Sequence, residues 1–239
     1  MDALEAISGI KWYFEAKNLA IKNALRIRCP LSVADQKDLR VNYSQYLANL
    51  LAATEILAKD FKGPDSKAHE RYKAILYEAL DFDSNGKGEA NYLYLKELRN
   101  SVVHRGADIS SSAHIAEDGL PLLIVQQEIS NESGKSKRQA FGLYLLDIIE
   151  KADPAIGRAT LSHLRIEGLL ELNISPEKAK AEALEFLRSS IAVPEHVKLN
   201  AAKLFDEIDF GSVQAAQIDE LIKLLEGKAV ETNIFNNTL

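Results

Sequence analysis

The amino-acid sequence predicts an all-α protein, a helical bundle with a small inserted β-hairpin and a C-terminal helical appendix. Apolar residues recur at i, i+3 and i+4 over most of the chain, which is the spacing of amphipathic helices. One short segment, residues 121–129, is instead rich in residues that favour strands. The patterns change in character near residue 173. We therefore expect a helical domain at residues 1–172 and the appendix at 173–239.

Two long helices are predicted at the N-terminal end. The second should begin at Ser32, because Asp35 three residues later gives this serine the spacing of an N-cap. It should end at Gly63-Pro64. The first should end before Pro30, since proline disfavours helical geometry in the residue before it. Its apolar face consists of Leu4, Ile7, Ile10, Phe14, Ile21 and Leu25.

The middle of the chain mixes helices and turns. A third helix should follow Ser66, and a fourth should span residues 91–105 and end at Gly106. Residues 107–119 are predicted to be irregular. The strand at 121–129 should pair with a second strand at 137–141, so that the hairpin covers about 121–141.

Helical spacing resumes at Gly142 and continues to about Leu172. We expect a break at Asp153-Pro154, because proline is favoured at the first position of a helix. The appendix should then form three short amphipathic helices, at residues 175–190, 194–208 and 212–227.

The composition excludes several classes of protein. Of the 239 residues, 46% are hydrophobic and 27% are charged, which is the balance of a folded globular chain. The single cysteine, Cys29, excludes a disulfide within the chain. A net charge of -6 argues against coating DNA through bulk charge. We find neither a secretory signal nor a membrane-spanning segment, and so expect a cytoplasmic protein without membrane contact.

The loop at residues 81–90 resembles part of a calcium site. It matches the first nine positions of an EF-hand loop, but Tyr92 stands at the twelfth position, where a bidentate Glu belongs. Two interpretations stay open: a weak cation site, or a polar turn in which Asp and Asn serve the turn geometry. The candidate ligands are Asp81, Asp83, Asn85 and Glu89.

The fourth predicted helix carries the strongest candidate for chemistry. At about 100° per residue, its apolar residues face the core, whereas Asn100 and His104 point away from it. Arg99 lies on the flank, with a side chain long enough to reach the exposed side, and Lys96 adds an ammonium to that side. An imidazole can transfer a proton near neutral pH, and a guanidinium can hold phosphate oxygens. Such a set could cleave RNA by internal attack of a 2′-hydroxyl; alternatively, these residues only cap the helix.

The segment Arg99-Asn100-Ser101-Val102-Val103-His104 resembles the signature of the HEPN superfamily (higher eukaryotes and prokaryotes nucleotide-binding). In that signature, four to six residues separate an Arg from a His, and the first of these residues is polar. The two long N-terminal helices are similar to the start of the HEPN bundle. The resemblance implies a metal-independent endoribonuclease without a cofactor, as found in toxin–antitoxin, phage-defence and RNA-processing systems.

The resemblance also implies roles and partners. His104 would transfer protons, Arg99 would stabilise the phosphate and the transition state, and Asn100 would position the substrate or His104. HEPN domains usually dimerise with their motifs facing each other, so a homodimer is expected. The further partners are RNA and an antitoxin or defence-system protein. Because some HEPN domains are not nucleases, the alternative is a catalytically inert nucleotide-binding or protein-interaction module.

An acidic protein must hold RNA through a local basic patch. The patch should combine residues beside the motif with the tip of the hairpin, which we expect to overhang the motif cleft. The candidates for RNA contact are Lys96, Arg105, Lys135, Lys137 and Arg138. One departure from the family matters here: a toxin subgroup carries a modifiable Tyr two residues after the His, and this chain has Gly106 there.

Overall fold

Eight α-helices and two β-hairpins form the described part of the chain. The computed structural model describes residues 3–58, 67–131, 133–171, 176–205 and 207–229. These residues fall into two compact units, Met1–Glu167 with Leu224–Leu239, and Gly168–Lys223. Within the described ranges, no helix has the length and apolar character that crossing a bilayer requires.

The predicted helical class is confirmed, and the helices follow the predicted order. They are α1 (Ala3–Ala24), α2 (Val33–Leu57), α3 (Ala68–Ala79), α4 (Gly88–Val103), α5 (Leu145–Ile166), α6 (Pro176–Ser189), α7 (Glu195–Leu204) and α8 (Phe210–Glu226). A short 3-10 helix, Leu169–Glu171, follows α5. The expected end of α2 at Gly63-Pro64, the start signal at Ser66 and the boundary near Leu172 lie outside the described residues.

The N-terminal start of α2 is confirmed at Ser32. Its side-chain oxygen accepts the Asp35 N–H at 3.2 Å, and the Asp35 carboxylate accepts the Ser32 N–H at 2.8 Å. This reciprocal pair satisfies two backbone donors at the helix start. α1 and α2 form the most extensive helix pair of the larger unit. Its core is rich in fully buried aromatic side chains, namely Phe14, Tyr43, Tyr46, Tyr72 and Tyr94.

The strand region differs from the prediction. Residues 107–119, predicted to be irregular, contain the strand β1 (Ala113–Ile115), which pairs antiparallel with β2 (Pro121–Leu123). The predicted strand at 121–129 is divided into β2 and a second strand, β3 (Glu128–Ser130), which pairs antiparallel with β4 (Lys137–Gln139). The pairing of the 137–141 segment is thus confirmed for the second half of the predicted strand only. All residues of β1 are exposed, so the sequence shows no apolar alternation there.

The expected break at Asp153-Pro154 is wrong, because α5 continues through Pro154. A proline inside a helix removes one backbone hydrogen bond. Here the flanking turns are buried, and Asp153 forms an ion pair with Lys17 of α1 at 2.7 Å. The Asp153 carboxylate also accepts the Ala229 N–H at 3.1 Å. These contacts join the turn that contains the proline to α1 and to the residue Ala229 that follows α8.

α4 is the element that carries the candidate site, and it packs against α2, α3 and the β3–β4 hairpin. It begins at Gly88, three residues before the predicted start. Only glycine fits there, because a Cβ would lie 1.7 Å from the Tyr77 carbonyl oxygen. The Tyr92 hydroxyl meets the Thr54 hydroxyl of α2 at 3.0 Å, and the Tyr94 hydroxyl donates to the Gln126 carbonyl at 2.7 Å. α4 is therefore fixed between a helix and a hairpin.

Candidate functional site

The C-terminal half of α4 presents the two faces that the sequence predicts. Leu95, Leu98 and Val102 are buried in the core. Asn100 is half-buried on the other side, and His104 is exposed. His104 is the C-cap residue, and its backbone N–H donates to the Asn100 carbonyl at 3.0 Å. The imidazole is therefore anchored to the helix through its backbone while its ring faces solvent.

The turn after His104 is fixed by hydrogen bonds to α4 and α2. The Ala107 N–H donates to the Ser101 carbonyl at 3.0 Å. Gly106 lies at φ +70, a left-handed conformation that favours glycine, and this satisfies the helix end as predicted. The Arg40 guanidinium of α2 donates to the Gly106 carbonyl at 3.0 Å. The backbone beneath His104 is thus held by a second helix.

His104 shares an open surface cavity of about 490 Å³ with Asn100, Glu97 and Arg105. Arg105 donates to the Ser130 carbonyl of β3 at 3.3 Å and to the Glu97 carbonyl at 3.2 Å. Its Nη2 also lies 3.5 Å from the Glu97 carboxylate. The cavity therefore combines an imidazole, an amide, a guanidinium and a carboxylate. These are groups that can move protons and bind an anion.

Arg99 lies outside this cavity. Its Nη2 forms an ion pair with the Glu55 carboxylate of α2 at 2.6 Å, and its side chain is only 14% exposed. Its Nε is buried and has no hydrogen-bond partner among the described residues. Within one chain, the motif residues are therefore divided: Asn100 and His104 line the cavity, and Arg99 joins α4 to α2.

The other basic candidates are dispersed. The Lys96 ammonium lies 5.9 Å from the centre of the Tyr92 ring. Lys135 is exposed in the β3–β4 turn. Lys137 and Arg138 line a separate cavity at the N-terminal end of α4, and Lys137 pairs with Glu128 at 2.5 Å. Arg105 is the one residue of the five expected RNA contacts that lines the cavity beside His104 in the described part of the chain.

The loop that resembles a calcium site forms a tight turn. The Asp81 carboxylate accepts the N–H groups of Asn85, Gly86 and Lys87 at 2.8–3.2 Å. The hydrogen bond from the Gly86 N–H has the largest effect on the pKa of Asp81, and together the three bonds lower it. Glu89 lies in the first turn of α4. This geometry supports the polar-turn interpretation, and the described residues contain no cluster of three or more His, Cys, Asp or Glu side chains suited to a metal.

Two acidic residues of the site were missed in the sequence. Glu97 lies three residues before Asn100 and seven before His104, so helical spacing alone puts it on their face. Glu55 offers no such signal, because it reaches Arg99 from a different helix.

No protein-family model, curated protein or solved structure matches this chain. A function must therefore be inferred from the cavity at the end of α4 and from the resemblance of residues 99–104 to the HEPN signature.

Proposed function

We propose that this chain is a metal-independent endoribonuclease of the HEPN type, with His104 as its proton-transfer residue. The observation that carries the proposal is an exposed imidazole, fixed at the end of α4, in a cavity shared with Asn100, Arg105 and Glu97. RNA brings its own nucleophile, the 2′-hydroxyl. A site that cleaves it must move two protons and balance the charge that develops on the phosphate.

The proposed reaction is a single transfer of the phosphoryl group from the 5′-oxygen to the 2′-oxygen. His104 removes the proton of the 2′-hydroxyl, whose oxygen attacks the adjacent phosphorus. The bond to the 5′-oxygen breaks, and that oxygen takes a proton from a general acid. The products are a 2′,3′-cyclic phosphate and a free 5′-hydroxyl. In a homodimer with facing motifs, the protonated His104 of the second copy would be that acid and would donate the proton.

Arg99 takes part in this proposal only after it leaves Glu55. Phosphate and carboxylate both bind guanidinium in a bidentate way, so an RNA phosphate can compete with Glu55 for Arg99. Glu55 is 38% exposed, so solvent screens the pair and lowers the cost of the exchange. Arg105 already lines the cavity and can bind the phosphate before the exchange.

A second function is favoured by the position of Arg99. In an inert HEPN-like module that binds a nucleotide or a protein, the ion pair with Glu55 would be a structural bridge between α2 and α4. Arg99 would then never reach a substrate. This candidate differs from the nuclease in one measurable way, because the wild-type protein would cleave no RNA.

The experiment compares RNA cleavage by the wild-type protein and by His104→Ala, in buffer containing EDTA. We expect the variant to lose cleavage by a factor of roughly 100 or more, the usual contribution of a general acid or base. The matched control is His196→Ala, which removes an exposed histidine from α7 in the other unit. Equal activity of His104→Ala and His196→Ala would contradict the proposal, and an inactive wild-type protein would favour the inert module.

A further inference from the structure

A second cavity lies at the opposite end of α4 from His104. Its volume is about 360 Å³, within the range of pockets that hold small molecules. The first turn of α4 forms one wall and β4 with the residues after it forms another. α4 has 16 residues and is therefore about 24 Å long, so the two cavities are separate sites.

The lining of this cavity is strongly basic. Four cationic side chains line it, against the single carboxylate of Asp83; they are Lys87, Lys137, Arg138 and Lys151. This excess stands out in a chain whose net charge is -6. The start of α4, which adds the positive end of a helix dipole, lies in the same wall. The cavity therefore attracts an anion.

Two of these four cationic side chains bind an acceptor at close range within the chain. Lys137 is paired with Glu128, and the Lys151 ammonium donates to the Phe141 carbonyl at 3.2 Å. Arg138 belongs to none of the ion pairs found among the described residues, whereas the charge of Lys87 acts on the Asp81 carboxylate of its own loop. Arg138 is half-buried, so its guanidinium is partly shielded from water. An incoming phosphate would supply an acceptor to Arg138, and the exposed ammonium of Lys87 can turn to the same phosphate.

Two aromatic rings complete the wall. Phe82 and Phe141 are half-buried, and their ring centres lie 5.2 Å apart. Both rings line the cavity beside the cations. Flat aromatic ligands stack on such side chains, and a base on an aromatic ring is the usual way in which proteins hold single-stranded nucleic acid.

We propose that this cavity binds one nucleotide, free or as a unit of an RNA chain. Its phosphate contacts Arg138 and Lys87, and its base stacks on the Phe82–Phe141 pair. The size of the cavity fits a single unit, the cations fit the phosphate, and the rings fit the base. This site does not require cleavage at His104, and it holds equally if the protein is an inert module.

Calorimetric titration with AMP, adenosine and ribose 5-phosphate tests the two halves of the site. We expect AMP to bind at least about tenfold more tightly than either fragment, because only AMP has both groups. A six-nucleotide RNA with 2′-O-methyl riboses, which cannot be cleaved by internal attack, tests whether the ligand is instead a unit of an RNA chain. Binding of this RNA without binding of AMP would identify the ligand as a unit of an RNA chain.

Substitutions that each remove one charge from the lining show whether the probe binds in this cavity. Arg138→Gln and Lys87→Gln should each weaken the probe that binds by about tenfold, the effect of losing one charged hydrogen bond. Asp83→Asn should strengthen binding, which a variant that merely damages the fold would not do. The matched control is Lys135→Gln, which removes the same charge from the same hairpin without touching the cavity.

His104→Ala should bind AMP like the wild-type protein, so the outcome is separate from that of the nuclease proposal. The inference is overturned if neither probe binds at millimolar concentration. It is also overturned if Arg138→Gln and Lys87→Gln bind as well as Lys135→Gln.

Discussion

Arg99 and His104 have different surroundings although they belong to one short segment of the chain. Arg99 is 14% exposed and bound to Glu55, whereas His104 is exposed at the helix end. An α-helix causes this, because residues five apart point in directions that differ by about 140°. A single chain therefore presents only part of the motif in one cavity.

The Glu55→Gln variant tests whether Arg99 is available to RNA. Removing the carboxylate removes the competitor for the guanidinium, so we expect RNA affinity to increase by about two- to fivefold. Affinity is measured by titration of an uncleavable 2′-O-methyl RNA. Arg99→Ala should weaken the same binding. If both variants bind RNA like the wild-type protein, Arg99 is a structural residue.

Within single elements, the start of α2 depends on a pH-sensitive cap. Hydrogen bonds from the Ser32 hydroxyl and N–H lower the pKa of Asp35. A carboxylate whose pKa is lower in the folded state stabilises the protein at neutral pH, and this stabilisation is lost as the pH falls through the folded value.

We therefore expect Asp35→Asn to lower the free energy of unfolding at pH 7, and this loss to shrink as the pH falls below about 4 and to vanish once the pH is below the lowered pKa of the folded state. Ser32→Ala, which removes the N-cap oxygen, should cost about 1 kcal/mol. Urea unfolding at several pH values measures both. Asp38→Asn, at an exposed position of the same helix, is the control. A loss for Asp35→Asn that is the same at pH 3 and pH 7 would contradict the role of the charge.

Elements whose signals are local could be predicted from the sequence. The cap at Ser32, the buried face of α4 and its end near Gly106 all depend on residues within a few positions of each other. Three features could not be predicted in this way. The exposed strand β1 is defined by pairing with β2. α5 continues through Pro154 in a buried turn whose Asp153 binds Lys17 and Ala229, and Arg99 meets Glu55 because α4 packs on α2.

At the scale of the whole larger unit, one buried ion pair joins distant parts of the chain. Lys17 and Asp153 are 1% and 2% exposed, and Asp153 also holds the Ala229 N–H. Burial lowers the pKa of Lys17, and the charge of Asp153 opposes this effect. Removing one partner would leave the other charge buried without compensation.

Lys17→Met is therefore expected to reduce the free energy of unfolding by about 3–5 kcal/mol. The double variant Lys17→Met, Asp153→Leu should recover much of this loss, because no charge then stays buried. Denaturant unfolding measures both. Lys11→Met, on the same helix but in a more exposed pair with Glu15, should change stability by less than about 0.5 kcal/mol. A similar small change for Lys17→Met would contradict the structural role of the pair.

The whole-molecule proposal of an RNA-cleaving protein is tested most directly by the chemistry at the cleaved bond. Cleavage sites in a structured RNA are mapped with the wild-type protein in EDTA, and the 3′ ends are analysed by mass spectrometry. The nucleotide before one mapped site is then replaced by its 2′-deoxy form. We expect 2′,3′-cyclic phosphate ends and complete loss of cleavage at the substituted position, with neighbouring sites unaffected. Continued cleavage at the deoxy position, activity that requires magnesium, or no cleavage of RNA at all would contradict a metal-independent nuclease acting through His104.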